Sequence, residues 1–208
     1  MTSTLNCLKH KFQLSVRENE EDFDDVEKTL VDSEQSINEA TLTSLADLHC
    51  QLIKANSQAY MELLPKLTVE NQVLQRMIVQ MAEKPITNTD LQIALCMMDD
   101  VVEFGGNASI HLYQQFVPCM MKNMDHASAD VRQAAVYGIG VFFEVASNDP
   151  ATMPTQLINS MMKKLHLLIT AKNSRKKKNA SATENAISAF AKAIEFKSAC
   201  LENEKAAG

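Results

Sequence analysis

The sequence is poor in the residues that build tight turns, and this shortage limits its fold class. Its 208 residues include 5 glycines and 5 prolines, and aromatic residues make up 5% with no tryptophan. An α/β or all-β domain of this length needs many tight turns, which are made chiefly from glycine and proline. The shortage therefore favours helices joined by short loops.

Long apolar runs and paired cysteines are also missing. No run approaches the roughly 18 apolar residues that a membrane span requires, and no basic-then-apolar leader follows Met1. The cysteines are far apart, odd in number and never form a C-x-x-C pair, which argues against a disulfide framework and against a zinc site. We therefore expect a soluble intracellular protein without membrane insertion. The cysteines are Cys7, Cys50, Cys96, Cys119 and Cys200.

Catalytic motifs are absent as well. The histidines lie singly on different predicted helices or loops, without H-E-x-x-H spacing, and no phosphate-binding or nucleophile-elbow motif occurs. Each histidine fits a partly exposed helix residue better than a metal ligand, because a metal needs several convergent ligands. The sequence therefore predicts no enzyme, no metal site and no cofactor. The histidines are His10, His49, His111, His126 and His166.

The net charge of -6 combines two halves of opposite sign. Residues 1–104 hold 8 Lys and Arg against 18 Asp and Glu, a balance of -10, while residues 105–208 hold 12 against 8, a balance of +4. An acidic half attracts basic partners through long-range electrostatics. Direct binding of nucleic acid is not expected from a chain whose net charge is negative.

Apolar residues recur at helical spacing through most of the chain. Pro65 is expected to kink its helix or reset the start, because proline lacks a backbone donor and clashes with the preceding turn. Capping side chains are available at Asn88-Thr-Asp90, and Gly105-Gly106 ends the helix that follows. The predicted helices cover approximately residues 3–17, 33–56, 58–81, 88–105, 109–124, 128–146, 155–170 and 182–196.

Two charged segments are predicted to be loops. The acidic loop, residues 18–32, starts with a run of carboxylates that is too self-repelling for a buried element. The basic loop, residues 171–180, contains four consecutive cations from Arg175 to Lys178. Such a run resembles a nuclear-localisation or polyanion-binding patch, but it fits a solvated connector equally well. A contact between the basic loop and the acidic run is a third possibility.

One stretch has the pattern of a HEAT repeat, a helical hairpin that cannot bury its apolar faces alone and stacks on copies of itself. Pro118 opens an apolar helix, and after a polar break Asp130-Val-Arg132 precedes a helix with small inward residues. The segment at Asp90 superposes on the one at Asp130 at an offset of 40, near the roughly 40–47 residues of such units. We predict an all-α fold, a HEAT-repeat α-solenoid of about four hairpins. Their approximate bounds are 3–56, 58–104, 109–146 and 154–196.

Several residues of this pattern are predicted to be structural. Asp130 at a helix start accepts backbone N–H groups, and Arg132 can pair with an acid of the adjacent repeat. Small residues let neighbouring helices approach closely, so a large residue in place of Gly138 should disturb stacking. The small positions are Ala134, Ala135, Gly138 and Gly140.

Asp99, Asp100 and Glu103 lie on the predicted second helix of a hairpin, which usually lines the concave side of such arrays. A functional interpretation is a contact for Lys or Arg side chains of a partner, with charge steering the association. The alternative is an ordinary solvated helix face.

Three segments carry a resemblance to a known family. Cys96-Met-Met-Asp-Asp-Val-Val-Glu103, Val131-Arg-Gln-Ala-Ala-Val-Tyr-Gly-Ile-Gly-Val141 and Asn179-Ala-Ser-Ala-Thr-Glu-Asn-Ala-Ile-Ser-Ala189 closely resemble successive repeats of the importin-beta superfamily, nearest the importin-5 or karyopherin beta-3 type. The matching repeats belong to the C-terminal part of that family. Its members are HEAT solenoids several times longer than this chain.

The resemblance implies a fragment of a nuclear transport receptor that carries basic cargo, such as ribosomal proteins and histones, through nuclear pores. It also implies regulation by Ran-GTP, contact with nucleoporins through the full-length receptor, and movement between cytoplasm and nucleus across the nuclear envelope. Glu184 joins the candidate cargo-binding residues, and Asn185 joins Pro118 among the structural repeat positions. A HEAT scaffold or regulatory subunit of a signalling complex, such as a phosphatase, is the alternative.

Overall fold

A computed structural model of the chain describes residues 25–66, 73–85, 87–146 and 153–206. Within these ranges the ordered elements are helices and no strand occurs, so the predicted all-α class is confirmed. Short 3-10 helices, Gly106–Leu112 and Lys177–Asn179, precede two of the α-helices. The α-helices are α1 (Asp25–Ala55), α2 (Ser57–Pro65), α3 (Val73–Glu83), α4 (Asn88–Gly105), α5 (Tyr113–Asn123), α6 (Ala129–Val145), α7 (Thr155–Thr170) and α8 (Ala180–Ala206).

Local side-chain chemistry sets the start and end of α4. Thr87 is the N-cap: its hydroxyl accepts a hydrogen bond from the Asp90 amide at 3.1 Å, and the Asp90 carboxylate accepts one from the Thr87 amide at 3.1 Å. This reciprocal capping box satisfies two amides that the helix itself leaves unpaired. The helix ends where Gly106 adopts a φ of +48°, a region that favours glycine.

The helices pack in two layers in chain order. Helices α1, α4, α6 and α8 form one layer, in which each packs on the next, while α3, α5 and α7 pack beneath α4, α6 and α8 respectively. The second layer is also linked, since Lys164 of α7 donates to the Met121 carbonyl of α5 at 2.9 Å. Sequential stacking of this kind defines an α-solenoid and confirms the predicted array. The bounds assigned to individual hairpins remain a prediction.

Methionine and phenylalanine side chains fill the space between the layers. Phe142 and Phe143 of α6 are buried, and the ring of Tyr113 on α5 meets that of Phe142 edge to face at a centroid distance of 4.7 Å. Unbranched methionine adapts to the irregular gaps between crossing helices. The buried methionines are Met77, Met81, Met97, Met98, Met120, Met124, Met153 and Met161.

The prediction of a loop over residues 18–32 is wrong for its second half. Helix α1 begins at Asp25, so residues 25–32 are helical. An acidic run does not exclude a helix at this place, because negative charge is favoured near a helix amino terminus by the macrodipole. Residues 18–24 and the predicted helix 3–17 lie outside the described residues.

Four further boundaries differ from the prediction. A single helix was predicted over 58–81, but the described residues there form two helices. The first, α2, ends at Pro65, and the second is α3. The helix predicted from Ser109 begins instead as the 3-10 turn that precedes α5, where the Ser109 hydroxyl donates to the Gly106 carbonyl at 2.7 Å. Helix α8 continues to Ala206, beyond the predicted end near Phe196. The fourth concerns Pro118.

Pro118 lies inside α5 and does not open a helix. Proline there removes the amide that would bond to the carbonyl of Gln114, four residues earlier. Both Pro118 and Gln114 are exposed, so water can satisfy that carbonyl. The cost of an internal proline is reduced at such a solvent-facing position.

Candidate functional site

The exposed surface across α1, α4 and α6 brings together several carboxylates. We define the acidic face by Asp47 of α1, Asp100 and Glu103 of α4, and Tyr137 of α6. Asp100 is near enough to both Asp47 and Glu103 for their charges to raise its pKa, although burial is the largest cause of the upward shift. Negative charge from separate helices therefore accumulates at one surface.

Tyr137 and Glu103 connect the helices across this face. The Tyr137 hydroxyl donates to Glu103 Oε2 at 3.3 Å, and the tyrosine side chain remains 45% exposed. Burial, followed by the charges of Glu103 and Asp99, raises the pKa of Tyr137 to about 12. The phenol is therefore a stable hydrogen-bond donor at neutral pH and also offers an aromatic surface to a ligand.

One cation of the chain already lies at the acidic face. The Lys54 ammonium is 5.5 Å from the centroid of the Phe104 ring, within the range of a cation–π contact. The pKa of Lys54 is raised, first by a hydrogen bond with Cys50 and then by the nearby Asp100 and Glu103, although partial desolvation opposes the shift. An aromatic ring and carboxylates thus lie around this lysine side chain, and both favour its charged form.

Asp99 does not belong to the exposed surface, so the prediction that it contacts a partner is corrected. The side chain is 3% exposed, and its Oδ1 atom is buried without a hydrogen-bond partner among the described residues. Asp99 points toward α6: a Cβ built on Gly138 would lie 1.9 Å from Oδ1. Burial raises the pKa of Asp99 well above its usual range.

Glu184 is exposed on α8, and α6 lies between α8 and α4. The structure therefore does not bring Glu184 together with Asp100 and Glu103. Its neighbour Asn185 links two helices instead, because Asn185 Nδ2 donates to the Gln133 carbonyl of α6 at 3.3 Å.

Arg132 joins consecutive repeats, but its partner is not the acid that was predicted. Its guanidinium donates to the carbonyls of His126 at 2.5 Å and Ala127 at 2.9 Å, and to Asn179 Oδ1 at 2.7 Å. Asn179 belongs to the basic loop, so the bond ties that loop to the start of α6. All three acceptors are neutral oxygens, which the five N–H donors of an arginine can share.

The other small and capping positions have distinct surroundings. Ser128 is the N-cap of α6, and Asp130 is an exposed residue in its first turn, so Asp130 is not the cap residue. Ala135 is fully buried. A Cβ built on Gly140 would lie 3.3 Å from Ala189 Cβ, which shows how closely α6 approaches α8.

Sequence reasoning missed two buried polar residues. Lys197 of α8 is 1% exposed and donates to the Ala146 carbonyl at the end of α6, and a single lysine in a polar helix gives no sequence signal of such burial. His49 is buried, so the prediction of a partly exposed residue is wrong for it, and burial lowers its pKa to about 4. His111 and His166 are exposed, His126 is half-buried and His10 lies outside the described residues.

The described residues also bear on metal binding, thiol chemistry and membrane spanning. No group of three or more His, Cys, Asp or Glu side chains there has the geometry of a metal site. Burial, followed by the charges of Asp99 and Asp100, raises the pKa of Cys96 to about 12, so this thiol stays protonated at neutral pH. The described helices include none that is both long and apolar enough for a membrane span.

Comparison with known proteins supports the resemblance to the importin-beta superfamily. The chain is 28% identical over 101 residues to importin subunit beta-3 from Saccharomyces cerevisiae, a match that covers 49% of this chain and 9% of that protein. No protein-family model matches the chain.

A solved structure shares the fold. The karyopherin Kap121p, in its complex with the SUMO protease Ulp1p, matches with a TM-score of 0.71 and 21% identity over 93% of this chain and 16% of the karyopherin chain. The likeness shows a karyopherin-type helical solenoid. The chain thus spans less than a fifth of the length of either relative.

Proposed function

We propose that this chain is a fragment of a nuclear transport receptor of the importin-beta superfamily and that its acidic face binds a basic segment of a protein cargo. The proposal depends chiefly on the position of Lys54. Its ammonium lies over the Phe104 ring, near the carboxylates of Asp100 and Glu103. A surface that stabilises one lysine of its own chain has the chemistry to receive lysine or arginine from a partner.

The likeness to relatives extends this proposal to a transport cycle. Kap121p is a karyopherin bound to a protein partner, and the other relative is named an importin subunit. We infer that the present chain contributes part of the cargo surface of a longer receptor that moves between cytoplasm and nucleus. Ran-GTP and nucleoporins would act through that receptor, and ribosomal proteins and histones have the basic segments that the acidic face fits. Neither relative is described as a phosphatase subunit, so the scaffold alternative gains no support.

Binding of a fluorescent lysine- and arginine-rich peptide tests the acidic face. Each exposed ion pair contributes about 0.2–1 kcal/mol, so the double variant D100N/E103Q should weaken binding by roughly twofold to thirtyfold. Affinity should also fall with added salt, because exposed charges are screened. The control D130N/E83Q removes the same two charges from exposed positions outside the acidic face and should bind as the wild type does.

Two outcomes would contradict this assignment. Equal losses in both double variants would mean that net charge, and not the acidic face, attracts the peptide. Absence of peptide binding by the wild-type chain at low salt would remove the proposed surface altogether. Capture of GTP-locked Ran by the longer receptor tests the transport cycle separately.

A further inference from the structure

A second charged surface lies on the edge of the array where α6 and α8 begin. The basic loop between α7 and α8 carries exposed cations at five of seven consecutive positions. Within the described residues, none of these side chains has an ion pair or a hydrogen bond. The cations are Lys172, Arg175, Lys176, Lys177 and Lys178.

The basic loop is folded, which separates it from an ordinary solvated connector. Asn179 is buried; it accepts from Arg132 at 2.7 Å and donates from Nδ2 to the Asn173 carbonyl at 2.8 Å. The Thr183 hydroxyl lies 2.9 Å from the carbonyl of Ser174, another buried residue. Backbone bonds from Ser174 to Ala171 and from Asn179 to Lys176 close the turns.

This anchoring has an energetic consequence for binding. A flexible lysine-rich segment loses conformational freedom when it binds, and that loss opposes association. Here the backbone of the loop is fixed before any ligand arrives, and only the lysine side chains remain to be ordered. Preorganisation therefore favours a docking surface over a plain connector.

The basic loop also borders concave surface. Lys178 lines both a cavity of about 300 Å³ beside Asn173 and Ser174 and a cleft of about 490 Å³ beside Gln133 and Ser181. Hydroxyl and amide groups in these clefts can donate to carboxylate oxygens, while the lysines supply charge. Cations and neutral donors thus lie together at one edge.

We propose that the basic loop docks an acidic polypeptide segment of a partner protein. Nucleic acid fits less well, because the loop contains no aromatic side chain on which a base could stack. Asp125 and Asp130 also line the two clefts and would repel a backbone that carries a charge at every phosphate. A peptide can alternate carboxylates with neutral residues and so avoid those two acids.

Binding of a fluorescent ten-residue glutamate-rich peptide to the whole chain, at about 50 mM salt, tests this proposal. The triple variant K176Q/K177Q/K178Q should weaken binding by roughly tenfold, since three exposed ion pairs are lost. The control K84Q/K122Q/K163Q removes three exposed lysines that lie outside the basic loop and should leave binding unchanged. A glutamine peptide of the same length should not bind.

The chain's own acidic run, which starts at Glu18, is a potential competitor. The peptide should therefore also be tested on a variant in which Glu18, Glu20, Glu21 and Asp22 are replaced by their amides. The proposal is supported if the peptide binds the wild-type chain or this amide variant, and if K176Q/K177Q/K178Q abolishes that binding while the lysine control keeps it. Failure to bind both forms, equal losses in both triple variants, or tighter binding of a single-stranded RNA of the same length would overturn it. None of these results depends on whether the acidic face binds basic cargo.

Discussion

Replacing Gly138 by alanine tests how α4 stacks on α6. The added Cβ would lie 1.9 Å from Asp99 Oδ1, 2.9 Å from Met120 Cε and 3.0 Å from Asp99 Cγ. The end of a methionine side chain can shift, but the Asp99 carboxyl is enclosed and has little space to retreat. We therefore expect the variant to force α4 and α6 apart or to rotate Asp99 into a strained position.

Two opposing contributions set the change in the free energy of unfolding that Gly138→Ala causes. Overpacking a core costs about 1–3 kcal/mol, and a clash with an enclosed carboxyl belongs at the upper end. Alanine recovers about 1 kcal/mol of helix propensity relative to glycine. The net loss should be about 2 kcal/mol, which lowers the midpoint of urea unfolding by roughly 1 M for a denaturant slope of about 2 kcal/mol per M.

A double-mutant cycle distinguishes this clash from a general effect of the substitution. In the background of D99A the carboxyl is gone, so Gly138→Ala should cost less than about 0.5 kcal/mol because only the mobile Met120 end must move. The matched control is Gly140→Ala, whose new Cβ meets Ala189 Cβ at 3.3 Å. This control should give a smaller loss that is independent of Asp99. Equal losses for Gly138→Ala in both backgrounds would refute the contact between α4 and α6.

Three further predictions concern the buried polar groups. Burial raises the folded-state pKa of Asp99 above the unfolded value of about 3.9, so the stability of the wild type relative to D99N should fall as pH rises from about 4; parallel pH profiles of urea unfolding for the two proteins would contradict it. Burial lowers the pKa of His49 to about 4, so the contribution of His49 to stability should fall by about 3 kcal/mol as pH drops from about 6.5 to 4, and NMR titration would disprove this by finding an imidazole pKa near 6.5. Asn179→Ala leaves the Arg132 guanidinium short of one acceptor and the Asn173 carbonyl short of one donor, and should cost about 1–3 kcal/mol, measured by thermal unfolding; no loss in N179A would show that the loop is not anchored through these bonds.

The sequence was informative about the fold because helical period and turn chemistry are local. Gly105-Gly106 marks the end of α4 correctly, and the limits predicted for α7, 155–170, agree with the structure. Capping changes when a residue moves by one position along the helix. Asp90 is the third residue of α4 and completes its capping box, whereas Asp130 is the second residue of α6. The two aspartates therefore differ in role although they superpose at an offset of 40. The superposition at 40 residues therefore located the helix start, whereas the choice of Ser128 or Asp130 as the cap needed the structure, which gives Ser128.

The candidate site could be predicted only in part, because burial depends on neighbouring helices. Asp99 and Asp100 are adjacent in sequence, and helical rotation turns one toward Gly138 and the other toward solvent and Cys50. The sequence of two adjacent acids on a predicted helix does not show which of them a neighbouring helix will bury. The contribution of Tyr137 was also hidden, since its partner Glu103 is 34 residues away along the chain.

Site-specific photo-crosslinking tests the central claim, that the acidic face of a stacked-helix array receives a basic polypeptide, most directly. A benzophenone amino acid is placed at Tyr137 on the acidic face, and in a control chain at Leu167, an exposed residue of α7 in the other layer. On irradiation with a lysine-rich protein segment, the chain with the probe at position 137 should form an adduct that D100N/E103Q diminishes. Adducts formed only at position 167, or equally at both positions, would contradict the proposed binding surface.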